Sequence, residues 1–140
     1  MSQTVLLIDD EVHIRSVLGR RFEASGFRTL IASDAEEGLE LLTEASPDAI
    51  VVDLQMPGMS GLEFGREAQK RCERTPPMVL LTARSHLADD HAVTESGIDR
   101  VMMKPFSARE VVRTIQELIA AASEADSNAD SDSSQGQVAA

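Results

Sequence analysis

Tryptophan and tyrosine are absent from this chain, cysteine occurs once, and lysine occurs twice against eleven arginines. The single Cys72 rules out an internal disulfide and fits a reducing compartment. Its spacing from the three histidines gives no zinc-ligand pattern, which leaves a plain thiol near a helix end. Long apolar runs are also missing. Val5–Ile8 is too short for a signal peptide or a membrane span, and acids follow it directly. Positive charge is scarce: 13 Lys and Arg stand against 24 Asp and Glu, a net charge of −11. Without a basic stripe there is nothing to displace counterions from nucleic-acid phosphates. There is no internal repeat and no sign of a second domain. A soluble, cytoplasmic protein with neither nucleic-acid nor membrane partners is expected.

What is present suits one domain with a real core, at 140 residues and 42% hydrophobic content. Five short apolar runs read as strands: Thr4–Ile8, Phe27–Ala32, Ala49–Val52, Met78–Leu81 and Arg100–Met103. The second, interrupted by Arg28 and Thr29, suits a sheet edge. Helical patterns fill the gaps. Ile14, Val17, Leu18 and Phe22 mark the first, and Leu39 and Leu42 the second, after a Ser33 or Asp34 cap. Leu62, Phe64 and Ala68 give a third, ending near Cys72. Arg84–Ser96 is a marginal helix stopped by Gly97. Ser107 and Glu110 form a capping box before the last stripe, Val111, Ile115 and Leu118. From Ser123 the composition turns to Ala, Ser, Asp, Asn, Gln and Gly, so residues 123–140 are expected to be a disordered acidic tail beyond a 1–122 domain.

Five strands alternating with five helices predict an α/β fold, a (βα)5 doubly wound, five-stranded parallel sheet covered on both faces. All carboxyl ends of a parallel sheet lie on one edge, where such sheets place their ligands. The residues at those ends are Asp9 and Asp10, Asp53, Thr82 and Lys104. Alone, Asp9 and Asp10 would also suit caps of the first helix, and Thr82 another cap. Together they form a constellation. Three crowded carboxylates would force a proton onto one of them unless a cation intervened. Oxygen-only ligands suit Mg²⁺, or Mn²⁺, better than zinc. One of only two lysines, Lys104 supplies a compact positive charge for a phosphate, and Thr82 a hydroxyl donor. Asp53 is then the natural nucleophile, because an aspartyl phosphate is a known type of covalent intermediate.

The chain resembles the receiver domains of two-component response regulators, the CheY-like superfamily, in their single-domain form. The matching residues are Asp9-Asp10, Asp53 with Met56-Pro57-Gly58-Met59-Ser60-Gly61, Thr82-Ala83 and Lys104-Pro105-Phe106, and the likeness runs over about residues 3–122. It implies the flavodoxin-like strand order 2-1-3-4-5. It also implies a phosphorylation switch in which a sensor histidine kinase or a histidine phosphotransfer protein presents a phosphohistidine to Asp53. Asp10 and Asp53, Asp9 through water, and the backbone carbonyl of Gln55 would hold Mg²⁺. Thr82 and Lys104 would hold the phosphoryl oxygens. Such a protein assists its own phosphorylation and dephosphorylation and is not a turnover enzyme. With only an acidic tail after the domain, output is expected through contact with an unknown protein target, on the face formed by Arg84–Ser96 and Ser107–Ala122.

Departures from the family pattern are informative. The fifth-strand position that usually carries Tyr or Phe is Val101, so an aromatic flip there is excluded. The segment Arg84–Ser96 is the expected reporter in its place. Gln55 and Arg84, two residues after Asp53 and Thr82, are expected to shield the site and lengthen the phosphoryl lifetime. His13, one turn past Asp10, is read as part of a solvated helix face. Three alternatives remain at this point: a mid-relay phosphoryl carrier, a haloacid-dehalogenase-like phosphotransferase, and an unphosphorylated interaction module. The second expects a nucleophile on the first strand with another Asp two residues on, whereas Asp9 and Asp10 are adjacent.

Overall fold

The computed structural model describes the backbone of residues 2–83 and 90–139, and their side chains except at 90 and 126–139. Strands and helices alternate as β1 (Thr4–Ile8), α1 (Val12–Ala24), β2 (Arg28–Ala32), α2 (Ala35–Ala45) and β3 (Ala49–Asp53). They continue as α3 (Gly61–Arg71), β4 (Met78–Thr82), α4 (Asp90–Glu95), β5 (Arg100–Met103) and α5 (Ala108–Ala139). The five strands form one parallel sheet in the order β2-β1-β3-β4-β5, as the sequence led us to expect.

The central strands β1, β3 and β4 are nearly continuous apolar runs because helices cover both faces. Along β3, Ile50 and Val52 join one core with Leu39, Leu42 and Phe64, while Ala49 and Val51 join the other with Phe22 and Ile115. Helix starts follow local chemistry. Asp34 accepts the Glu37 N–H at the start of α2, and Ser60 accepts the Glu63 N–H at the start of α3. The Ser107 hydroxyl accepts the Glu110 N–H at 3.4 Å before α5. Helix α1 begins after Glu11, whose side chain makes no cap, while Asp9 Oδ1 accepts the Glu11 N–H at 2.9 Å just ahead of the first turn.

One expected helix is described only in part, and another runs on past its expected end. The marginal helix Arg84–Ser96 is described only as α4, Asp90–Glu95; residues 84–89, and with them Arg84, lie outside the described residues. At the other end, a disordered tail was expected from Ser123, yet the α5 backbone continues as helix to Ala139. No proline follows Pro105, and Ala, Glu, Gln and Ser are tolerated in helices, so nothing stops the helix where its apolar stripe ends.

Register sets up the site. Ile8 pairs with Val52, Asp53 with Leu81, and Thr82 with Met103. Beyond the paired positions the Asp9 N–H reaches Ala32 O at 3.2 Å, Leu54 N–H reaches Leu81 O at 2.8 Å, and Lys104 N–H reaches Thr82 O at 2.8 Å. These bonds extend the pairing past the carboxyl ends of the strands, joining β1 to β2, β3 to β4, and β4 to β5.

Candidate functional site

Asp9 and Asp53 are each 3% exposed at the ends of buried strands, and Asp10 beside them is exposed. One carboxylate oxygen from each of Asp9, Asp10 and Asp53 lies within 4.8 Å of the others. The Lys104 Nζ stands 3.1 Å from Asp53 Oδ1, in an ion pair that is mostly out of water. Thr82 is fully buried at the end of β4. Four strand-end positions chosen from the sequence are therefore brought together at one edge, with Thr82 on the strand between Asp53 and Lys104. Gln55 is exposed two residues beyond Asp53, in a loop anchored by Met56, which packs into the core beside α3. His13 is exposed on α1, as expected. Val101 is 39% exposed on β5.

Electrostatics follow from this crowding. Burial pushes the Asp9 carboxyl up from 3.8 to about 6; the Glu11 N–H bonded to Oδ1 opposes this, and the charge of Asp53 adds to it. Burial also raises Asp53, against the hydrogen bond and charge of Lys104 and with the help of Asp10 and Glu11. Burial alone would lower the Lys104 ammonium, but the bond and charge of Asp53, with Asp9 and Glu11, outweigh it and raise the group. One ammonium does not neutralise three carboxylates.

The residues present fit a hard divalent cation. The donor set is all oxygen. Asp9 Oδ2 is buried without a hydrogen-bond partner, a state that is costly unless a cation or water completes it.

Two neighbours of the site escaped the sequence reading. Gly61 begins α3 directly under the site: a Cβ there would lie 2.5 Å from the Asp53 carbonyl oxygen and 2.7 Å from Leu80 Cδ1. Its N–H also reaches Leu54 O at 3.0 Å, closing the loop that follows Asp53. The sequence offered Gly61 only as the last residue of a motif shared with the receiver family, because closeness of two backbones leaves no local signal. Arg15, on α1, donates from Nη1 to the Asp9 carbonyl oxygen at 2.7 Å.

Comparisons with known proteins agree with this geometry. The family model for the response regulator receiver domain matches residues 5–116. A probable transcriptional regulator, ycf27, from Porphyridium aerugineum is 34% identical over 126 residues, which cover 90% of this chain and 52% of that protein. The chain spans about half the length of the curated relatives it matches. Among solved structures, the receiver domain of Francisella response regulator 1452 has a TM-score of 0.79 at 28% identity, covering 86% of this chain and 99% of that one. The Vibrio cholerae chemotaxis protein CheY4 has a TM-score of 0.77 at 27% identity, over 84% and 99% respectively.

Proposed function

The chain belongs to the response regulator receiver domain family, phosphorylation-dependent switches of two-component systems, and from that premise we propose that its residues 1–122 form the switch with Asp53 as phospho-acceptor. The observation that carries this reading is the buried Asp53 carboxylate, bonded to Lys104 at 3.1 Å and clustered with Asp9 and Asp10. Asp9, Asp10, Asp53 and the carbonyl of Gln55 would hold Mg²⁺, which Mn²⁺ can replace. When bound, the cation neutralises carboxylate charge and draws negative charge from the incoming phosphoryl oxygens.

The chain's own groups do the rest. A phosphohistidine of a sensor kinase or phosphotransfer protein arrives at the open side of the site. An Asp53 carboxylate oxygen bonds to phosphorus as the phosphorus–nitrogen bond breaks, and the imidazole leaves with the electron pair and takes up a proton. Lys104 passes from Asp53 to a phosphoryl oxygen, and the Thr82 hydroxyl donates to another. Positioning and charge compensation account for the catalysis, as in phosphoryl transfer generally. Water later opens the acyl phosphate and resets the switch, so the chain acts once per signal and not as a turnover enzyme. No described helix is long and apolar enough to cross a membrane. Cytoplasmic location and output through a protein contact complete the proposal.

The test is incubation with Mg²⁺ and radiolabelled acetyl phosphate. Near-stoichiometric label on the unaltered chain and none on Asp53→Asn are expected. Equal labelling of the two would overturn the assignment of Asp53. Rapid phosphate release with no labelled chain accumulating would replace the switch with a phosphotransferase-like enzyme.

A further inference from the structure

Resting on the metal reading above, we propose that Arg15 is a positioning residue that sets the metal-binding geometry of the Asp9–Asp10 pair through the main chain. The argument starts from Asp9. Its N–H donates to Ala32 O at 3.2 Å, its Oδ1 accepts from Glu11 N–H at 2.9 Å, and its carbonyl oxygen accepts from Arg15 Nη1 at 2.7 Å. Oδ2 alone has no partner and is buried. Three fixed groups therefore leave one free oxygen, and Arg15 supplies one of the three.

The carbonyl that Arg15 holds belongs to the peptide unit joining Asp9 to Asp10. That unit is planar, so fixing its oxygen also fixes the nitrogen and Cα of Asp10, the point from which its side chain departs. Asp10 is exposed and sits before the first turn of α1, where nothing else described orients it. Arg15 is well placed for this task. Its own N–H bonds to Glu11 O at 3.2 Å, which ties it into the first turn of α1, and its half-buried side chain reaches back past that turn to the strand end. One residue thus couples the start of the helix to the two acids. Partners that orient metal ligands in this way typically govern metal affinity by 10–100-fold.

Binding of Mn²⁺ followed by electron paramagnetic resonance, together with competition by Mg²⁺, tests the proposal on the full chain. Arg15→Met, which keeps the stem and removes the donors, is expected to weaken Mn²⁺ binding about tenfold. Arg15→Lys, which can still donate to the Asp9 carbonyl, is expected to stay within about threefold of the unaltered chain. Arg15→Leu, which also lacks a donor, asks the same question if Arg15→Met does not fold. Thermal unfolding in chelator separates this role from a merely structural one. Lower stability of Arg15→Met with unchanged Mn²⁺ affinity would overturn the proposal, as would equal loss in the Met and Lys variants. If the unaltered chain binds no Mn²⁺, the metal reading fails first and the role of Arg15 falls with it.

Discussion

At the scale of single residues, Lys104 works in two directions. Its ammonium partly neutralises Asp53 and so competes with a cation for the same charge. Replacing it by Met is expected to tighten Mg²⁺ binding roughly fivefold, because one nearby positive charge is removed. The same change is expected to slow labelling by acetyl phosphate about 100-fold, since a donor to the phosphoryl oxygens is lost. Calorimetric titration and a labelling time course measure the two effects. Weaker metal binding in Lys104→Met would show that the lysine holds the acids in place more than it opposes the cation. Asp53, Asp9 and Lys104 were legible in the sequence because each is a charged residue set directly after a short apolar run. Arg15 was not, since it acts on a carbonyl oxygen, and carbonyls carry no sequence signature.

At the scale of elements, α3 and the loop before it hold the floor of the site. Gly61→Ala would drive a methyl into the Asp53 carbonyl and Leu80, at an expected cost of about 2 kcal/mol, with labelling impaired. Gly58 provides the contrast. Its φ of 81° strains any other residue, yet nothing lies within 4 Å of an added Cβ, so Gly58→Ala is expected to cost about 1 kcal/mol and leave labelling nearly intact. Urea unfolding with a labelling assay ranks the pair, and equal effects on labelling would contradict the geometry. The central strands β1, β3 and β4 were the most legible elements, since burial on both faces writes them as nearly unbroken apolar runs. Helix ends were less so. The stripe of α5 stops near Ala122 while its backbone continues to Ala139, because periodicity reports what a helix packs against and not how far it extends.

At the scale of the whole molecule, the acid cluster makes stability depend on pH and on divalent cations. Asp9 is raised in the fold from 3.8 to about 6, so the folded chain holds a proton that the unfolded chain gives up. Without a cation, the contribution from Asp9 is therefore full below about pH 3.8 and is lost as pH rises through 6. The loss amounts to about 3 kcal/mol. Mg²⁺ would compensate for it above pH 6, so the rise in melting temperature on adding Mg²⁺ should be large at pH 7.5 and small at pH 5. A rise independent of pH across this range would place the cation away from Asp9. The fold as a whole was readable because strand count, alternation and chirality leave few arrangements. The net charge was equally plain, and its distribution was not. The ion pair between Lys104 and Asp53 has a last consequence, in the arithmetic of charge. Three carboxylates and one ammonium leave two negative charges, which one divalent cation cancels. An acyl phosphate on Asp53 adds about one more, a trivial change to a chain already at −11. Within the closed edge of the sheet, however, it is the only charge left without a counterpart, and the neighbouring donors must move to meet it.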